Sequence, residues 1–170
     1  MKSVFCWRRL GILLVISALS MSCGRDFNNP LDPTGQSTPL GVVRITDPSN
    51  GASVTADLTI RGTYSAEVVD DIWAFVWPAE APGRGWPQTD DASVGRPGIK
   101  VNGAWSTRAG LGGPPQRYDL VVYTATPSAS GFLRETLIAW SRTGDFQGIV
   151  VAGLPQGLVE RHRITVTKPN

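Results

Sequence analysis

Few residues in this chain have side chains that do chemistry. It holds one histidine and two cysteines in 170 residues. His162 lies between Arg161 and Arg163 near the C-terminus. A Ser-His-Asp device needs its imidazole held beside a nucleophile in a pocket. No Gly-x-Ser-x-Gly frame surrounds any serine, so His162 is expected as an exposed residue of an edge strand. Zinc needs several His or Cys ligands, which this chain cannot supply. Asp70-Asp71 and Asp90-Asp91 are adjacent carboxylate pairs. Calcium takes about six to eight oxygens, commonly from Asp-rich loops, and no Asp-x-Asp-x-Asp spacing is present. Neighbours in a strand point opposite ways, so Asp90-Asp91, in a loop, is the better candidate of the two. Nothing selects two carboxylates as a glycosidase pair. The sequence therefore predicts no catalytic residue, no metal and no cofactor.

Aromatic residues are the remaining clue. Trp73, Trp105 and Trp140 fall in periodic segments and are expected in the core, where aromatic area counts most. Trp86 falls in a long loop with Gln88 beside it. It could stack on a pyranose ring or plug the end of the domain. Trp86, Gln88, Asp90 and Asp91 form the candidate ligand-binding set.

The N-terminal stretch says where such a domain resides. Lys2, Arg8 and Arg9 make a positive start, and Leu10 to Leu19 is an uncharged apolar run. That length fits the core of a secretory leader, roughly 7–15 residues. It falls short of the about 20 apolar residues a spanning helix needs. Ser20 and Ser22 are small residues of the kind a signal peptidase accepts, and Cys23 follows them. The run Leu19-Ser20-Met21-Ser22-Cys23 resembles the lipobox of bacterial lipoproteins, with Leu one step further from the cysteine than the family favours. The resemblance implies cleavage before Cys23 and acylation of its thiol. Plain secretion is the alternative. Residues 24–39 are rich in Asn, Pro, Gly and Ser and read as a solvated tether. The Asn29-Pro30-Leu31-Asp32-Pro33 run resembles segments that follow a lipoprotein cysteine. Stable anchoring takes two or more acyl chains. Gly24 after the cysteine, where Asp would signal inner-membrane retention, points to the outer membrane of a Gram-negative cell.

Removal of the leader changes the charge balance. Of 16 basic residues, Lys2, Arg8 and Arg9 leave with it, so 13 remain against 14 acidic ones, a net charge of −1. A near-neutral chain without basic clusters is a poor partner for nucleic acid. Cys6 leaves too, so no disulfide is available and the domain must stand on its hydrophobic core. The expected organisation is a leader at 1–22, an acylated Cys23 with its tether to 40, and one domain over 41–170.

That domain reads as mostly strands. Residues 41–46 form a short strand candidate ending in the turn Asp47-Pro48-Ser49-Asn50-Gly51. Leu58, Ile60 and Gly62 alternate with polar residues, as a half-buried strand requires. Asp70 to Pro78 is apolar on both faces, Ile72, Ala74 and Val76 against Trp73, Phe75 and Trp77, so it is expected at the centre of a sheet. Residues 79–97 read as a loop. Asn102-Gly103 is a strong hairpin signal. Tyr118 to Ala125 and Ile164 to Thr167 complete the strands. Leu133, Leu137 and Trp140, at i, i+4 and i+7, favour a helix over 132–143, capped by Ser128 or Ser130 and stopped by Gly144, with a strand through Leu137-Ile138-Ala139-Trp140 as the alternative.

The spacing of Ile45, Pro48, Gly51, Val54, Ile60 and Gly62 resembles the first two strands of bacterial immunoglobulin-like modules. Trp86-Pro87-Gln88, Asn102 to Trp105, Leu111-Gly112-Gly113, Tyr118 to Val122, Arg142 to Phe146, Leu154 to Gly157 and Ile164 to Thr167 together resemble a recurrent extracytoplasmic bacterial domain over about residues 41–168. The resemblance implies a fold and a compartment and adds no site. The expected fold is mainly β, an immunoglobulin-like antiparallel sandwich with one short helix near the C-terminus. The expected function is that of a lipid-anchored cell-envelope protein, not an enzyme. The membrane is its partner through Cys23, and its domain binds an envelope protein or a glycan. The alternative is a carbohydrate-binding surface module that uses Trp86.

Overall fold

A computed structural model describes residues 41–170. The leader, Cys23 and the tether lie outside the described residues, so the expectations placed on them stand as expectations. Strands β1 (Val43–Asp47), β2 (Asp57–Tyr64), β3 (Asp71–Pro78), β4 (Arg84–Pro87), β5 (Ile99–Val101), β6 (Ala104–Gly110) and β7 (Gln116–Ala125) precede helix α1 (Pro127–Thr143). Strands β8 (Ile149–Val150) and β9 (Leu158–Lys168) follow it. They form two antiparallel sheets, ordered β1-β2-β6-β5 and β8-β4-β3-β7-β9. Lettering β1, β2, β3, β5, β6, β7 and β9 as A to G gives A-B-E-D in one sheet and C-F-G in the other. That is the strand arrangement of an immunoglobulin-like sandwich. β4 and β8 extend the C edge, and α1 is inserted between F and G.

The two apolar faces of β3 explain the layering. Ile72, Ala74 and Val76 point between the sheets, where they meet Ile60, Trp105, Leu120, Val122, Ile164 and Val166. Trp73 and Phe75 point outward and meet Val121, Tyr123, Leu133 and Leu137 beneath the helix. The molecule thus has three layers: sheet, sheet and helix. Gly62 makes the first interface possible, because a Cβ there would lie 2.3 Å from the Trp105 indole nitrogen. Trp105 crosses β2 at that point and donates to the Arg44 carbonyl at 3.2 Å.

The helix differs from its expected bounds. It starts at Pro127, well before Phe132. Thr126 caps it, accepting from the Ala129 N–H, and Pro127 occupies a first-turn position that needs no donor. Neither Ser128 nor Ser130 is the cap. Ser130 is buried and accepts the Trp73 indole N–H at 3.0 Å, while its own hydroxyl donates to Asp71 at 2.5 Å. The other end is as expected: Gly144 takes a left-handed φ of 71° and its N–H returns to the Trp140 carbonyl. Leu154-Pro155-Gln156-Gly157 closes against the helix start. Gly157 accepts the Thr126 N–H at 3.0 Å, and a Cβ on it would collide with the Thr126 side chain.

The predicted loop at 79–97 contains β4. It holds only two register pairs to β3, Phe75↔Pro87 and Val76↔Trp86, and two to β8. So short a strand, bracketed by Gly and Pro, has no periodicity to display; its pairing comes from the neighbouring strands.

Candidate functional site

Two concavities border the five-stranded sheet, one lined in part by α1 and by residues at the end of β6, the other by β3, β7, β9 and the segment after β8. The first is a groove of about 550 Å³ that brings together Trp86, Gln88, Trp140 and Phe146 over Val76, Pro87 and Leu137. β4 supplies Trp86, and the helix supplies Leu137 and Trp140. The turn after Gly144 folds Phe146 back onto Trp140, ring centroids 6.0 Å apart and edge-to-face. Trp86 is half-buried, not open. Its indole N–H donates to the Phe146 carbonyl at 3.0 Å, and its ring lies where a Cβ on Gly148 would be, 2.7 Å away. Gln88 is 9% exposed. Its amide donates to the Trp86 carbonyl at 2.8 Å and accepts from the Gly110 N–H at 2.9 Å, tying the two sheets together. The groove's principal polar side chains are therefore held by the protein itself.

Asp90 and Asp91 are not brought into the groove lining, and their carboxylates serve separate backbone tasks. Asp90 accepts from the Arg108 N–H at 2.7 Å. Asp91 accepts from the N–H and hydroxyl of Ser93, and those bonds hold its carboxyl below the usual range. His162, on the edge strand β9, is half-buried; its Nδ1 accepts the Ile45 N–H at 3.3 Å and braces β9 to β1. Trp140, expected in the core, is half-buried at the groove wall, whereas Trp73 and Trp105 are buried.

The second concavity, about 670 Å³, was not among the sequence candidates. Its floor is Trp77, Asp119 and Tyr123, neighbours on one face of β3 and β7. β9 adds Glu160 and Arg163, and Leu154 and Leu158 form an apolar wall. Arg163 spans both carboxylates, at 2.9 Å from Asp119 and 2.8 Å from Glu160. Its hydrogen bond to Glu160, above all, raises its pKa beyond the ordinary arginine value. Tyr123 is 5% exposed; burial, then the Glu160 charge, pushes its phenol up to about 12. The Trp77 indole N–H is shut off from solvent, makes no hydrogen bond of regular geometry and is directed at the Tyr123 phenol, whose ionised form it favours. The signal for this site was present in the alternation of Trp77, Asp119 and Arg163. It was hidden because register, not spacing, puts them side by side.

Among the described residues no helix is long and apolar enough to cross a membrane. None of their His, Cys, Asp and Glu side chains gather as three or more around a metal position. Compared with protein-family models and with curated proteins, the chain matches none.

Proposed function

We propose that this chain is an exported, lipid-anchored cell-envelope protein, carried on the outer membrane of a Gram-negative cell, whose immunoglobulin-like sandwich is a non-catalytic binding module. The observation that carries the reading is the order of residues from Lys2 to Cys23: positive, apolar, small, then a thiol. A Pro- and Asn-rich stretch separates that thiol from the first strand, which begins at Val43. The geometry supports the binding half of the reading. The three-layer body presents two concave surfaces with aromatic side chains in their linings. The lone histidine serves as a brace between two strands.

Metabolic labelling with radioactive palmitate tests the anchor. The expected result is a labelled protein in the membrane fraction, and an unlabelled, released one after Cys23→Ala. Mass spectrometry showing an unmodified Cys23, or cleavage elsewhere, overturns it.

Carbohydrate binding at Trp86 is the second reading, favoured by the shared groove of Trp86, Gln88, Trp140 and Phe146. Glycan titration followed by tryptophan fluorescence checks it, with an unchanged response in Trp86→Ala as the result that removes it.

A further inference from the structure

We propose that the concavity over Trp77, between β9 and the segment after β8, is a binding site for an uncharged saccharide, separate from the Trp86 groove. Hydrogen-bond accounting distinguishes the two. In the groove, the indole N–H of Trp86 and both ends of the Gln88 amide are occupied by the protein. Over Trp77 a charged group is left free, while the Trp77 N–H itself is shut off from solvent and directed at the Tyr123 phenol. Arg117 lines the same concavity and forms no ion pair among the described residues.

Charge selects the ligand class. Arg117 and Arg163 offset Asp119 and Glu160, so the lining is neutral in sum. A lone anion would face two carboxylates. An ammonium group would have to compete with Arg163, which already grips both acids with one guanidinium. A hydroxyl needs neither displaced: it donates to the carboxylate lone pairs still free and accepts from Arg117. The apolar side of the site suits the other half of a sugar. Leu154 and Leu158 give an aliphatic wall, and Trp77, stacked 6.0 Å from Phe75, gives an aromatic floor. A pyranose has that same pairing of a ring of hydroxyls with C–H faces. The polar partners are fixed before binding, since Arg163 is held by both acids and Asp119 also accepts the Thr165 hydroxyl at 2.9 Å. Preorganised groups lose little freedom when a ligand arrives.

The test uses the full chain in a sugar-free detergent, with maltohexaose, cellohexaose and chitohexaose as probes, by isothermal titration and saturation-transfer NMR. At least one probe is expected to bind. Arg117→Ala and Glu160→Gln, both at exposed positions, are expected to weaken that binding about tenfold or more. Trp86→Ala is expected to keep it, which separates this site from a sugar site in the groove. No binding of any probe to the wild-type chain overturns the proposal. So does binding that ignores both substitutions, or binding that Trp86→Ala abolishes.

Discussion

The hydroxyl of Tyr118 donates to the carbonyl of Gly112, six residues upstream, and also reaches the Pro114 carbonyl at 3.2 Å. It thereby pins the connection between β6 and β7 to the first residues of β7. Tyrosines at this corner of immunoglobulin-like sandwiches make the same backward bond. Tyr118 is 1% exposed, and its ring fills the space between the sheets.

Tyr118→Phe keeps the ring and removes the bond. Two carbonyls of a tight corner then lose their donor. The expected loss is about 1–3 kcal/mol, read as a lower urea midpoint with an unchanged slope. An unmoved midpoint would show that the corner holds itself.

Ser130 links the helix to the sheet through a chain of three groups, Trp73 N–H to Ser130 to Asp71. Ser130→Ala leaves the buried indole N–H unpaired and should lower stability by about 1–3 kcal/mol. Asp71→Asn preserves an acceptor for the Ser130 hydroxyl and should cost less. Thermal melts of the two variants decide the matter, and equal melting temperatures would count against the chain of bonds.

Tyr123 gives the fold a dependence on alkaline pH. Its phenol keeps its proton up to about 12 in the folded state, against an ordinary value of 10.0. Between those values the unfolded chain binds fewer protons than the folded one, so stability falls as pH rises. Below that window the group contributes no slope. In Tyr123→Phe this component of the alkaline loss should vanish, as urea unfolding at a series of pH values would reveal. Parallel curves for the two proteins would contradict it.

What could be read in the chain, and what could not, follows from how local each signal is. The two apolar faces of β3, the Asn102-Gly103 turn and the Gly144 stop are written in adjacent residues, and each is found where the pattern put it. Asn102 and Gly103 both take positive φ, as a tight hairpin turn demands. The helix start was misplaced because Ser130 looks like a cap in sequence. In three dimensions the indole of Trp73, 57 residues away, claims its hydroxyl. Gln88 lies in one groove with Trp86, but its amide is bound to Gly110 of the other sheet, a partner no spacing reveals. The place of Trp77 in the second concavity is invisible in the sequence for the same reason. Its neighbours Asp119 and Arg163 come from strands that follow much later, and a bulge in the β7–β9 ladder between Val122 and Tyr123 helps set which β9 residues line the concavity.

The same strand that joins the layers also rules out their independence. β3 and β7 wall both apolar interiors, one through Ile72 and Leu120, the other through Trp73 and Val121. Were the helix to detach, two large aromatic rings on β3 would meet water while the opposite side of that backbone stayed dry. No segment boundary divides those costs. Melting should therefore be a single cooperative event, with no half-folded species in which the sandwich persists and the helix has gone.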